Sequence, residues 1–154
     1  MIKPITEANI TEGTRVLVRV DWNVPIGVAD GDPERSRRVL DNSRIEASVK
    51  TINYILEKGG KAIIMSHLGD GADSLEVVAK EAEKFFPSKQ VRFVRDPWNC
   101  SASDCKKALE YLNNGGVAII ENLRFWMEKE NDKSFAKKLA EFGDIYVNEA
   151  FPVS

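Results

Sequence analysis

The chain has 154 residues, enough for one domain of ordinary size. Hydrophobic residues make up 43% and charged residues 30%, which excludes a disordered or low-complexity chain. A net charge of −2 excludes a protein that clamps nucleic acid across a broad basic face, but leaves room for a local arginine cluster holding a small anion.

The first apolar run, Arg15–Val20, is nearly continuous, as a strand covered on both faces should be. Ile26–Asn42 follows, with Gly27, Gly31 and Pro33 and then Arg35, Arg37 and Arg38. It shows no periodicity and is predicted as a long loop, either a functional connection or a solvated insertion. Ser43 is the expected N-cap of a helix in which Ile45, Val49, Ile52 and Leu56 share a face and Gly59-Gly60 stops the run. Lys61–Ser66 is the second predicted strand. Ser74 then caps a helix carrying Leu75, Val78, Ala79, Ala82 and Phe85 on one face, ended by Pro87.

Gln90–Val94 is the third strand. A helix through Cys105, Ala108, Leu109 and Leu112 follows, with Ser101 as cap, Asp104 three residues on, and Gly115-Gly116 as its stop. Gly116–Ile120 is the fourth strand. Phe135, Leu139 and Phe142 mark the last helix before Gly143, and Asp144–Val147 is the fifth strand. This alternation predicts an α/β, Rossmann-like three-layer sandwich: a parallel sheet of about five strands flanked by helices.

No apolar run reaches bilayer length, and Met1-Ile2-Lys3-Pro4 lacks the apolar core of a signal peptide. No membrane partner is expected. Cys100 and Cys105 are too close in sequence to staple a fold, and one histidine in the chain argues against a Cys/His zinc site. Reduced thiols in a cytoplasmic protein are the expectation.

In an open parallel sheet, ligands bind beyond the C-terminal ends of the strands. Here those ends read Arg19-Val20-Asp21-Trp22-Asn23, Ser66-His67-Leu68-Gly69-Asp70, Arg95-Asp96-Pro97-Trp98-Asn99, Glu121-Asn122-Leu123-Arg124-Phe125 and Asn148-Glu149-Ala150-Phe151. Arginines gathered at one edge suit phosphate or carboxylate, because the guanidinium fork matches two oxygens. Each residue also has a plain structural reading. His67 can close a strand end, Asp21 and Asn23 can stabilise a turn before Pro25, and Arg124 can pair with Glu121 or Glu128. Arg44 is harder to explain structurally, since a cation in a first helical turn opposes the helix dipole. No G-x-G-x-x-G and no P-loop spacing occurs, so a glycine-rich nucleotide cradle is not evident.

Five segments resemble, in order, the motifs of the phosphoglycerate kinases. Val18-Arg19-Val20-Asp21-Trp22-Asn23-Val24-Pro25 is similar to R-V-D-[FW]-N-V-P, and Ser43-Arg44-Ile45 to the R-I segment after it. Ser66-His67-Leu68-Gly69 matches S-H-L-G, Glu121-Asn122-Leu123-Arg124-Phe125 matches E-N-L-R-F, and Val147-Asn148-Glu149-Ala150-Phe151 resembles V-N-[DE]-A-F. The resemblance implies an enzyme moving a phosphoryl group between 1,3-bisphosphoglycerate and ADP with Mg²⁺, in glycolysis, built from two Rossmann-like domains and working as a monomer. Residues 1–154 would be the N-terminal, phosphoglycerate-binding domain, incomplete and without the nucleotide-binding C-terminal domain. Asp21 and Asn23 would hold the glycerate hydroxyl. Arg44 would face the reacting group as the catalytic residue, His67 and Arg124 would hold the other phosphate, and Arg19 would belong to the basic patch.

The chain departs from that pattern at Asp70, where the family usually has arginine, and in the long Ile26–Ser43 connection, whose Arg35, Arg37 and Arg38 are candidates to replace the lost charge. It also stops at Phe151-Pro152-Val153-Ser154, before a further phosphate-binding arginine, the last strand and the nucleotide domain. The chain alone is therefore expected to bind 3-phosphoglycerate or 1,3-bisphosphoglycerate weakly, hold no Mg²⁺ or ADP/ATP, lack kinase activity and expose apolar surface. Trp22, between two proposed ligands, is expected to report binding. Two other readings stay open: a non-catalytic anion-binding or interaction module of the same fold, and an unrelated nucleotide-binding α/β domain.

Overall fold

Short Val/Ile-rich runs become strands because β-branched side chains pack well on a pleated surface buried from both sides. The computed structural model describes residues 2–96, 108–129 and 133–150. In chain order its strands are β1 (Arg15–Arg19), β2 (Ile26–Val28), β3 (Arg37–Val39), β4 (Lys61–Met65), β5 (Val91–Val94), β6 (Val117–Ile120) and β7 (Ile145–Asn148). β5-β6-β4-β1-β7 form one sheet in that order, with every pairing parallel. All five strands predicted from the apolar runs are present, in one sheet. Their C-terminal ends consequently share an edge.

Alternate side chains of each strand enter different layers. Val16, Val18 and Ile64 pack with Ile45, Ile52 and Ile55 of α1 (Ser43–Glu57) and with Val78, Ala79 and Ala82 of α2 (Glu76–Ala82). Leu17, Ile63 and Met65 pack on the other face with Leu109, Leu112 and Phe135, the last from α3 (Lys133–Ala140). The result is the expected three layers. Residues 108–110 are helical, but Cys100, Ser101, Asp104 and Cys105 lie outside the described residues.

The edge strand β7 is held to β1 partly by charge. The Arg15 backbone N–H donates to Asp144 Oδ2 at 2.9 Å, and Arg15 Nη2 to Oδ1 at 2.9 Å. The Arg15 side chain holds the Asp144 carboxyl below the usual carboxylate range. Among the described residues, no helix is long and apolar enough to cross a membrane.

Three local readings are corrected. Ile26–Asn42 is not a plain loop: β2 and β3 pair antiparallel through Ile26↔Val39, Gly27↔Arg38 and Val28↔Arg37. Strands of three residues are too short to show a period, so the hairpin was hidden. Ser43 does not cap α1. It is the helix's first residue, and Asp41 Oδ1 accepts its N–H at 2.9 Å. That bond is the leading reason the Asp41 carboxyl sits below its ordinary range. Phe142 lies beyond the last helix rather than on it. The predicted stop after α1 is present: Gly59 takes φ +81°, and the Gly60 N–H returns to Ile55 O at 3.0 Å.

Candidate functional site

The β1 end is anchored from inside. The Trp22 side chain is fully buried, its Nε1–H donating to Ser48 Oγ at 3.0 Å while its backbone N–H donates to Ser66 Oγ at 3.0 Å. With Trp22 pinned in the core, its neighbours Asp21 and Asn23 stay at the sheet edge, half-buried. The indole therefore faces the core, which makes Trp22 a poorer reporter of binding than the sequence suggests. His67 is the only histidine and is half-buried at the same edge.

Arg44, in the first turn of α1, reaches back across this edge. Its Nη1 lies 3.3 Å from both Asp21 carboxylate oxygens and donates to Asn23 O at 2.9 Å. One nitrogen carries all three contacts, and 43% of the side chain is exposed. The guanidinium is thus aimed by β1 while a fork edge remains for a ligand.

Asn23 serves the next junction. Its Oδ1 accepts the Gly69 N–H at 2.8 Å, tying the β1 end to the loop after β4. Arg19 Nη2 lies 3.1 Å from His67 Nδ1. A guanidinium only donates, so Nδ1 accepts and the ring proton sits on Nε2, where it is a donor. Arg124 comes to the same place from the β6 end. A Cβ built on Gly71, which takes φ +105°, would lie 2.7 Å from Arg124 O, so the two loops touch. Asp21, Asn23, Arg44, His67, Arg124 and Arg19 are in this way gathered at one edge from three strand ends and one helix start.

None of the contacts above involves the three hairpin arginines. Arg37 donates to Asp73 at 2.7 Å and 3.3 Å and holds that carboxyl below its usual range. Arg38 pairs with Asp32, and Arg35 is exposed in the hairpin turn with φ +50°. Two of these three arginines anchor the hairpin, which weakens the case that they recharge the site. Asp70 is exposed, its Oδ1 accepting the Ala72 N–H at 3.1 Å.

Two residues for which sequence reasoning offered no scaffolding role hold the edge together. Glu121 is 2% exposed, and its oxygens accept from Ser74 Oγ at 2.6 Å, Leu75 N–H at 2.7 Å and Asn122 N–H at 2.8 Å. It therefore binds the entry to α2, where sequence had offered it as a surface partner of Arg124. Asn122 is fully buried beside it. Two polar residues directly after an apolar strand were the available signal.

Shape alone would point elsewhere. A cleft lined by Arg15, Lys61, Leu109, Glu110, Glu141 and Phe142 opens at the opposite, N-terminal edge of the sheet. Its two cations are engaged, Arg15 with Asp144 and Glu141 O, and Lys61 with Glu110 O at 3.3 Å.

Comparison with known proteins decides the family. The family model described as phosphoglycerate kinase matches residues 5–154. The chain belongs to the phosphoglycerate kinase family. It is 38% identical over 156 residues to the phosphoglycerate kinase of Syntrophobacter fumaroxidans, covering 99% of this chain and 37% of that protein. It is 42% identical over 144 residues to the enzyme of Moorella thermoacetica, covering 89% of this chain and 34% of the relative. The crystal structure of phosphoglycerate kinase from Pyrococcus horikoshii OT3 superposes with a TM-score of 0.74 at 28% identity, over 97% of this chain and 36% of that one. The chain thus spans a little over a third of the length of these phosphoglycerate kinases.

Proposed function

We propose that these 154 residues form the phosphoglycerate-binding side of a phosphoglycerate kinase, with the nucleotide held by parts of the protein outside them. The observation that supports this reading is that Arg19, Asp21, Asn23, Arg44, His67 and Arg124 all sit on adjoining loops at the C-terminal sheet edge. Phosphoryl transfer needs alignment and charge stabilisation more than covalent help, and a multiply anionic glycerate calls for guanidinium groups.

In this reading Asp21 and Asn23 position the glycerate hydroxyl. The open edge of the Arg44 fork meets the reacting carboxylate or acyl phosphate and stabilises charge as the group moves. His67 and Arg124 hold the non-reacting phosphate, and Arg19 fixes the His67 tautomer. The donors at this edge suit an anion rather than a divalent cation. Among the described residues no group of three or more Asp, Glu, His or Cys is placed to hold a metal. In this reading Mg²⁺ and ADP or ATP, which would supply charge neutralisation and the phosphoryl partner in the complete enzyme, belong to the rest of the protein. A second domain completing a cytoplasmic, monomeric, glycolytic enzyme is part of the same proposal. Tyr146, 58% exposed on edge strand β7, supports further chain packing there.

Separate calorimetric titrations with 3-phosphoglycerate and with ATP test this. Heat from the acid alone is the expected result, and the polypeptide by itself transfers no phosphoryl group. Binding of ATP alone contradicts the proposal. Silence to both favours the non-catalytic module, to which the carboxylate of Asp70 lends its one supporting observation.

A further inference from the structure

The Asn122 side chain makes four hydrogen bonds. Its Oδ1 accepts the Leu68 N–H at 2.9 Å and the Arg124 N–H at 3.0 Å. Its Nδ2 donates to Leu68 O and to Asp73 O, both at 2.8 Å. A side-chain amide has two donors and two acceptor lone pairs, so this one is fully used. Leu68 follows His67, and Arg124 lies two residues past Asn122 itself. The single buried amide therefore clamps the backbones that carry both cations. The Leu123 N–H, donating to Ser66 O at 3.1 Å, joins the same two loops.

We infer that Asn122 is a positioning residue that sets the spacing of His67 and Arg124 and so builds the subsite for the non-reacting phosphate. The inference rests on the phosphate-binding role proposed above for those two side chains. Asn122 does not itself need to touch the ligand, being fully buried. A misplacement of about 1 Å in such a pair costs roughly tenfold or more in function.

The test is Asn122→Leu, which keeps the approximate shape but removes all four hydrogen bonds, including the acceptor of the Leu68 and Arg124 N–H groups. Two ligands are compared by NMR titration: 3-phosphoglycerate, and glycerate, which lacks the phosphate. Amide hydrogen exchange of the ligand-free protein is followed at Leu68 and Arg124, with Val16 and Ile64 as core references. Affinity for 3-phosphoglycerate is expected to fall about tenfold or more while that for glycerate stays within about twofold. Leu68 and Arg124 are expected to exchange faster with the core amides unchanged.

Unaltered 3-phosphoglycerate affinity overturns the inference. So does an equal loss for both ligands together with faster core exchange, which marks Asn122 as a purely structural residue. If the unsubstituted chain ignores 3-phosphoglycerate, the proposed function fails and exchange alone decides the clamp. Protection retained at Leu68 and Arg124 in Asn122→Leu then overturns it, and loss confined to those two amides upholds it. Should Asn122→Leu not fold, Gly71→Ala pushes the same loops apart from the surface. It is expected to give the same split between the ligands, and equal affinities would overturn the inference.

Discussion

Arg44→Ala, made in the full-length enzyme carrying these residues, is expected to lower kcat by about two to three orders of magnitude while KM for the phosphoglycerate rises far less. The helix start of α1 and the β1 end together explain the asymmetry. Before any ligand binds, Arg44 Nη1 is already held by the Asp21 carboxylate and by Asn23 O. The guanidinium is thus oriented in advance, and its cost of ordering does not fall on the reaction step. The ground-state acid meets several other cations at this edge, so losing one weakens its binding modestly. In the proposed binding mode the moving phosphoryl group would concentrate charge beside the open edge of Arg44. Steady-state kinetics with varied phosphoglycerate separate the two effects. Equal losses in kcat and in binding would assign Arg44 to uniform binding instead.

Trp22→Ala is expected to destabilise the chain by about 3–5 kcal/mol, a large part of the stability of an ordinary domain. Trp22 is one of the largest fully buried side chains, and its removal leaves both a cavity and the Ser48 hydroxyl without its indole partner. Ser48 Oγ still donates to Ile45 O at 2.7 Å, so the polar loss is partial and the cavity dominates. Trp22→Phe should cost much less, about 1–2 kcal/mol, by keeping most of the volume. Urea denaturation of both variants measures the difference. Similar small shifts for Ala and Phe would mean the site edge does not depend on this anchor.

The sheet was legible because buried parallel strands need continuous Val and Ile runs, and all five such runs pair in it. The hairpin was not, since three residues per strand give no readable alternation and its partners, Arg37 with Asp73 and Arg38 with Asp32, are contacts no sequence spacing reveals. The edge cluster could be read because the parallel arrangement alone brings strand ends together. What could not be read was its scaffolding. Glu121 and Asn122 look like exposed polar residues in a strand-end motif, yet both are buried. Their partners Ser74, Leu75 and Leu68 lie about fifty positions away in the chain, at separations of 46 to 54 residues. Asp41 satisfies a donor at the start of α1 for a local reason: its carboxylate, two residues back, reaches the Ser43 N–H, whereas a capping Ser43 hydroxyl would have met an N–H two or three residues further on.

The most direct trial of the account is crystallographic difference density for 3-phosphoglycerate bound to this chain. The glycerate end is expected against Asp21, Asn23 and Arg44, and the phosphate between His67 and Arg124. Density instead in the cleft beside Arg15, Lys61 and Glu141, at the far edge of the sheet, would contradict it.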